Sequence, residues 1–124
     1  MMKLFIIGIG GFFGAMARYG VSIWIGQNWG RSFPLGTLVV NVTGCFLIGF
    51  FMPLLTVKFM ASPNLRLFLT IGFLGAYTTF STFEYETGAL ITDGEWLFAA
   101  LNVFLSVLAG FVALKMGETL AHSL

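Results

Sequence analysis

The stretch GAYTTFSTFE, Gly75–Glu84, concentrates polar side chains, with five hydroxyl groups and a carboxylate within ten residues. Consecutive residues point all around a helix, so a continuous helix would turn some of these hydroxyls toward apolar surroundings. The adjoining Thr78 and Thr79 are also poor residues for a regular helix. The sequence therefore predicts a helix broken near Gly75–Thr79, with backbone carbonyl oxygens that a bound cation could satisfy.

Two phenylalanines, Phe80 and Phe83, follow this break three residues apart. Their spacing places both rings on one side of the next helical segment. A phenyl ring has a negative face and a positive edge, so edges turned inward could contact an anion and bind it less tightly than a full positive charge would. Conduction needs binding of that moderate strength. Taken alone, such a pair more often belongs to a hydrophobic core.

Two polar faces are predicted elsewhere in the chain. Thr37 and Asn41 are four residues apart, as are Asn102 and Ser106, so each pair shares one helix face. Polar groups in apolar helices usually face the protein interior or water. These faces are therefore candidates for lining a polar path.

Ionisable residues are few, and no enzyme motif is present. Arg18 could reach the membrane surface, line an anion vestibule or hold helices together, whereas Glu84 and Glu86 could mark the end of a helix. We interpret the single cysteine, Cys45, as a small packing residue, and His122 as solvated. There is no H-E-x-x-H, P-loop or nucleophile elbow, which indicates that the chain is not an enzyme.

The composition indicates an integral membrane protein. Of 124 residues, 58% are hydrophobic and 9% are charged, and the mean hydropathy is +0.96. A soluble domain carries roughly 25% charged residues, so this chain cannot cover a soluble surface. The net charge of +1 gives no sign of nucleic-acid binding.

Four apolar stretches approach or exceed the roughly 20 residues that cross a bilayer. They are Leu4–Ile25, Leu35–Val57, Leu65–Ile91 and Trp96–Leu114. The connections are short, so we predict one all-α transmembrane domain over residues 1–124, with four helices and the third one broken. The first stretch resembles a signal peptide as far as Ala15-Met16-Ala17, but it continues past Arg18 to span length.

Charge and tryptophan positions predict the orientation. The end with both termini carries Lys3, Lys58, Arg66 and Lys115, and the opposite end carries Arg31, Asp93 and Glu95. The positive-inside rule then favours cytoplasmic termini. An interfacial aromatic belt is expected at the opposite end, formed by Trp24, Trp29 and Trp96.

Three motifs occur in order along the chain: GGFFGAMARY (Gly10–Tyr19), GTLVVNVTGCFLIG (Gly36–Gly49) and GFLGAYTTFSTFEYE (Gly72–Glu86). Together they resemble the CrcB/Fluc family of small bacterial fluoride channels. The resemblance covers three of the four predicted spans, and TTFSTF after a glycine-rich lead is its most specific part. It implies passive, fluoride-selective export across the bacterial plasma (inner) membrane by a multi-pass protein.

The resemblance also implies an assembly and a set of site residues. The assembly is a dual-topology homodimer of antiparallel subunits with two pores. A structural sodium ion is held between the subunits by the backbone carbonyls of Gly75 and Thr78. The residues implied along or near the fluoride pathway are Asn41, Phe80, Phe83, Ser81, Thr82, Glu86 and Arg18. A polar track is expected at Asn102 and Ser106, although the motif in the fourth span is loose.

Two points bear on the antiparallel arrangement. The four-to-one excess of Lys and Arg at the end with the termini is larger than strict dual topology predicts. Four short helices, however, do not easily enclose a polar path, and an inverted partner supplies the missing wall.

Two other functions remain open from the residues alone. A small proton-coupled multidrug exporter can also be an antiparallel dimer of four-span subunits, but it would need a carboxylate at the centre of the bundle. Here the first span carries Arg18, and the glutamates lie near a helix end. A non-transporting membrane assembly subunit would have little reason to keep a broken helix lined with hydroxyls.

Overall fold

The computed structural model describes residues 1–29 and 32–124, and these residues form five helices. The helices are α1 (Met2–Asn28), α2 (Leu35–Lys58), α3 (63–77), α4 (Ser81–Thr92) and α5 (Trp96–Ser123). Three of them, α1, α2 and α5, are 27, 24 and 28 residues long and apolar enough to cross a membrane. They correspond to the first, second and fourth predicted spans. Arg31, which we assigned to the end opposite the termini, lies outside the described residues.

The third apolar stretch is divided into α3 and α4. Helix α3 is α-helical at Pro63–Arg66, π-helical at Leu67–Leu74 and α-helical again at Gly75–Tyr77. Thr78 is extended, with φ −86° and ψ 159°, and helix resumes at Ser81. The predicted break is therefore present, but Gly75 itself is helical. The break begins only at Thr78 because its N–H still donates to the Leu74 carbonyl at 3.2 Å.

Helices α1 and α3 pack backbone against backbone through glycines, as the small-residue pattern of such helices allows. A methyl group on Gly10 would collide with the carbonyl oxygen of Phe68, and one on Gly14 with that of Phe73. Gly10 and Gly14 are four residues apart, whereas the two residues whose carbonyls they face, Phe68 and Phe73, are five residues apart. The π-helical stretch, whose hydrogen bonds join residues five apart, brings both carbonyls onto the α1 side.

Helices α2 and α5 form a second close pair. A methyl group on Gly49 would collide with the carbonyl oxygen of Leu114, and one on Gly117 would collide with that of Phe46. At the end with the termini, Lys58 Nζ donates to the His122 carbonyl at 3.2 Å. A buried cluster of Val40, Leu74 and Tyr77 joins this pair to α3 next to the break.

The outer faces of the helices expose large apolar side chains. Phe12 is 61% exposed and Phe104 is 73% exposed. A soluble monomer rarely exposes so much contiguous apolar surface, so the described chain is an integral membrane protein whose outer faces meet lipid or another subunit. Trp24, Trp29 and Trp96 are exposed near the end of α1 and the beginning of α5, as an interfacial belt requires.

Candidate functional site

Asn41 holds the break between α3 and α4 in place. In a continuing helix the N–H of Thr79 would donate to the Gly75 carbonyl. Instead it donates to Asn41 Oδ1 at 2.8 Å, and Asn41 Nδ2 donates to the Thr79 carbonyl at 2.9 Å. One side chain of α2 thus pairs both backbone groups of a residue that has left the helix, and backbone groups away from water need such partners.

Arg18 caps the end of α3 from α1. Its Nε donates to the Ala76 carbonyl at 3.0 Å, which is one of the last carbonyls before the break. A cation at the C-terminal end of a helix is favoured by the helix dipole and satisfies a carbonyl without an intrahelical partner. Of the three roles considered for Arg18, this contact corresponds to holding helices together.

The hydroxyl groups around the break have separate partners. The Tyr77 side chain is buried, with its hydroxyl 2.9 Å from Thr43 Oγ1 on α2. Thr78 Oγ1 donates back to the Leu74 carbonyl at 3.1 Å, and its methyl group fills the space that Gly44 leaves open. Thr79 Oγ1 accepts from the Thr82 N–H at 3.3 Å, at the first turn of α4. These hydroxyls therefore shape and close the break.

Three backbone carbonyls at the break keep free oxygen atoms. Among the described residues, no hydrogen bond reaches the carbonyl of Gly75, Tyr77 or Thr78. Gly75 is exposed, with no side chain above it, and a methyl group there would find nothing closer than 3.8 Å. The break thus leaves carbonyl oxygens without donors, and the protomer is open to the outside at Gly75.

Phe80 and Phe83 lie side by side but differ in exposure. Their ring centroids are 6.0 Å apart and their planes are inclined by 52°. Phe83 is 7% exposed and lies inside the protomer, whereas Phe80 is 73% exposed at its surface. Both residues line a cavity, here called the central groove.

The central groove has a volume of about 360 Å³ and runs beside the break. The polar residues and the glycine of the break that line it are Asn41, Gly75, Thr78, Thr79 and, on α5, Ser106. Within the described residues, Ser106 Oγ is buried and has no hydrogen-bond partner. Buried hydroxyl groups are almost always hydrogen-bonded, so an unpartnered one on a residue that lines a cavity marks a place where a bonding partner is missing.

A second cavity of about 480 Å³ lies between the α1–α2 and α4–α5 connections, and we call it the loop-end cavity. Thr37 and Glu86 both line it, together with Asp93 and Glu95. Among the described residues, Glu86 Oε1 is buried without a hydrogen-bond partner. Thr37 is one helical turn from Asn41, so the polar face predicted on α2 connects the two cavities.

Asn102 lies one turn before Ser106 on α5, and its side-chain amide is hydrogen-bonded to another residue of the protein. It is 1% exposed, and its Nδ2 donates to Thr87 Oγ1 at 2.8 Å. The Thr87 hydroxyl donates in turn to the Phe83 carbonyl at 2.8 Å. This chain of hydrogen bonds joins α5 to α4 one turn away from Phe83.

Comparison with known proteins decides the family. The sequence profile described as "CrcB-like protein, Camphor Resistance (CrcB)" matches residues 5–118. The chain belongs to this CrcB-like family.

Several curated relatives cover almost the whole CrcB-like chain. A protein of Hydrogenovibrio crunogenus is 50% identical over 94% of this chain and 89% of its own length. One from Geotalea daltonii is 49% identical over 98% of both chains, and one from Solibacter usitatus is 47% identical over 98% of this chain and 99% of its own length. Each of the three is named "Fluoride-specific ion channel FluC".

The CrcB-like chain brings some of the implied site residues together and separates others. The central groove is lined by Asn41, Phe80, Phe83 and Ser106 together with Gly75 and Thr78. Among the other implied residues, Glu86 lines the loop-end cavity, Arg18 contacts α3, Asn102 contacts Thr87, and Ser81 is exposed. Thr82 is half-buried in the first turn of α4.

The sequence analysis did not identify two residues of the CrcB-like chain, Thr43 and Thr87, whose side chains form hydrogen bonds between helices near the site. Thr87 lies four residues after Phe83, on the same face of α4, and that spacing could have drawn attention to it. Thr43 lies two residues after Asn41 and meets Tyr77 across the α2–α3 contact. No local pattern distinguishes it from a threonine that bonds only its own helix.

Proposed function

We propose that this chain is a fluoride-selective ion channel that passively exports fluoride across the bacterial plasma (inner) membrane. The observation that carries the proposal is the helix break that Asn41 holds beside Phe80 and Phe83. The name of the relatives supports fluoride as the ion. The chemistry belongs to a channel rather than an enzyme, because no bond needs to be made or broken.

The lining of the central groove suits a small anion that must also leave. Ser106 offers an unpartnered O–H, and Asn41 keeps a second N–H beyond the one it donates to Thr79. The phenyl rings offer polarised edges. The lining residues, all within the described part of the chain, include no Lys or Arg. Hydrogen-bond donors without a full positive charge favour the moderate binding that conduction requires.

The fluoride path runs from the central groove to the loop-end cavity. Thr37 and Asn41 connect the cavities along α2, and Phe83 and Glu86 do so along α4. The remaining pathway residues of the proposal, Ser81, Thr82 and Asn102, lie along α4 and α5 near this route. The carboxylates of Glu86, Asp93 and Glu95 disfavour anion accumulation at this mouth, so fluoride is not held there. Arg18 acts by securing the end of α3.

The active assembly is an antiparallel, dual-topology homodimer with two pores, in which each subunit crosses the bilayer four times. Helices α3 and α4 together make the crossing that neither could make alone, since α4 has only 12 residues. The exposed Phe80 ring and the open side of Gly75 leave the groove without one wall. An inverted partner would supply that wall.

A sodium ion at the dimer axis would suit the free carbonyls of Gly75 and Thr78. Carbonyl oxygens are hard ligands of the kind that alkali cations accept. The ion would be structural and would hold the two breaks together. In a crystal structure of the dimer grown in sodium chloride, we expect cation density on the axis between the breaks, and an axis without such density would remove the sodium proposal.

Ion efflux from liposomes tests the proposed function. Liposomes that contain the purified protein and are loaded with fluoride or chloride should release fluoride, but not chloride, when potassium current is provided by valinomycin. An ion-selective electrode measures both anions. Proton-coupled export of an organic cation without fluoride release would indicate a multidrug exporter. Release of neither would indicate a non-transporting subunit.

Replacing Phe80 by isoleucine should cut fluoride efflux by about fivefold while the dimer remains folded. Isoleucine keeps the apolar volume but removes the ring edge, whose interactions are each worth on the order of 1 kcal/mol. Phe104→Ile is the matched control, because that ring is equally exposed on α5 and does not line the groove. Efflux through Phe80→Ile at the rate of the control would rule out the ring-edge role.

A further inference from the structure

Helix α4 depends on a few contacts for its position. It follows three non-helical residues and is only 12 residues long, so α3 cannot hold it in line. Asn41 fixes the backbone at Thr79 just before it. At its other end a tight turn leads into α5, with Gly94 at φ +80°. Between these ends, α4 is tied to α5 through Thr87.

The bond from Asn102 Nδ2 to Thr87 Oγ1 is the only side-chain hydrogen bond between α4 and α5 within the described residues. Asn102 is 1% exposed, so water does not replace a lost partner there. The Thr87 proton is already used on the Phe83 carbonyl. The Thr87 oxygen is therefore left to accept, and the amide of Asn102 is held in one orientation.

The position of this bond determines which residues face the central groove. The short α4–α5 turn makes the two helices antiparallel neighbours. Phe83 lies one turn before Thr87, and Ser106 lies one turn after Asn102. In antiparallel helices these offsets point the same way, so pairing Thr87 with Asn102 brings Phe83 and Ser106 to the same level. Both residues do line the groove.

We infer that Thr87 is a positioning residue whose hydroxyl, acting through Asn102, sets the register of α4 against α5 and thereby the spacing of Phe83 and Ser106. That spacing limits the size of the anion that the groove accepts. The expected effect on ion selectivity rests on the proposed function as a fluoride channel. The expected effect on the local stability of helix α4 does not depend on that function.

Thr87→Val tests the inference, because valine keeps the shape of threonine and loses only the hydroxyl. With the chloride efflux of the unmodified protein set at the electrode's detection limit, we expect the ratio of fluoride to chloride efflux to fall about tenfold, as the loss of one hydrogen bond to a buried amide allows. Thr87→Ser, which restores the hydroxyl, should stay within about twofold of the unmodified protein. Thr119→Val is the control, since that hydroxyl bonds only the Lys115 carbonyl of its own helix.

Asn102→Leu removes the donor of the same hydrogen bond. This second variant tests the inference if Thr87→Val does not fold. Because both residues act through one bond, Thr87→Val combined with Asn102→Leu should lower the ratio no further than the stronger single change. The inference fails if Thr87→Val leaves the ratio unchanged, if Thr87→Ser is as harmful as Thr87→Val, or if the two changes multiply.

Amide hydrogen exchange separates this inference from the proposed function. In the purified protein, Thr87→Val and Asn102→Leu should each speed exchange across residues 84–92, whereas Thr119→Val should not. Unchanged exchange in both variants would overturn the positioning role even if fluoride efflux is normal. If the unmodified protein releases no fluoride but the exchange differs as expected, the proposed function fails and the positioning role of Thr87 stands.

Discussion

Replacing Asn41 by leucine is expected to lower fluoride efflux by about 100-fold or more. The change removes both partners of Thr79, whose N–H and carbonyl would then lie at membrane depth without a hydrogen bond. Each lost bond of this kind costs about 1–3 kcal/mol, and every 1.4 kcal/mol is a factor of about ten in a population. The measurement is electrode-detected efflux from liposomes with equal amounts of each variant.

A nearly isosteric substitution tests the separate contributions of the oxygen and the nitrogen of the Asn41 side chain. Asn41→Asp keeps an acceptor for the Thr79 N–H but removes the donor to the Thr79 carbonyl and adds a negative charge beside the groove. Efflux should therefore fall by about tenfold or more, because one of the two bonds is lost and the charge repels the anion. Asn28→Leu serves as the control, since the Asn28 amide bonds only the Trp24 carbonyl of its own helix. Near-normal efflux in either Asn41 variant would contradict the role of this side chain.

Replacing Gly14 by alanine is expected to destabilise the protein by about 3 kcal/mol or more. The added methyl group would occupy the position of the Phe73 carbonyl oxygen, and this neighbour is backbone, which cannot rotate away. Overpacking in a well-packed core costs typically 1–3 kcal/mol, and here α1 must move away from α3. The measured quantity is the temperature at which half of the protein is lost from its size-exclusion peak.

Gly20→Ala provides the matched control on the same helix. A methyl group at Gly20 has no atom within 4 Å, and alanine is favoured over glycine in a helix by about 0.5–1 kcal/mol. The control should therefore be as stable as the unmodified protein or slightly more stable. Equal losses in Gly14→Ala and Gly20→Ala would show that the α1–α3 contact is not as close as the structure describes.

The broad features of the fold follow from local chemistry, and most of them could be predicted. Apolar runs of span length predicted α1, α2 and α5, because each run is itself the helix. The hydroxyl-rich segment predicted the break, since residues that compete for backbone hydrogen bonds do not extend a helix well. The exact start of the break was missed: Gly75 remains helical because its neighbours still make helical hydrogen bonds.

The candidate site was only partly predictable. The spacing of Thr37 and Asn41 correctly predicted one polar face, and that face connects two cavities. The spacing of Phe80 and Phe83 predicted neighbouring rings, but did not predict that one is buried and the other exposed. Exposure depends on which helices pack around the break, and helical periodicity carries no information about that.

The sequence by itself determined that this is a helical membrane protein whose third apolar segment is interrupted by a polar stretch. Tertiary structure alone decided the partners of the polar groups: Asn41 meets Thr79 across 38 positions, and Arg18 meets Ala76 across 58. The reason is physical. Apolarity and helix periodicity act over a few residues, whereas a buried polar group pairs with whatever donor or acceptor the packed helices bring within about 3 Å.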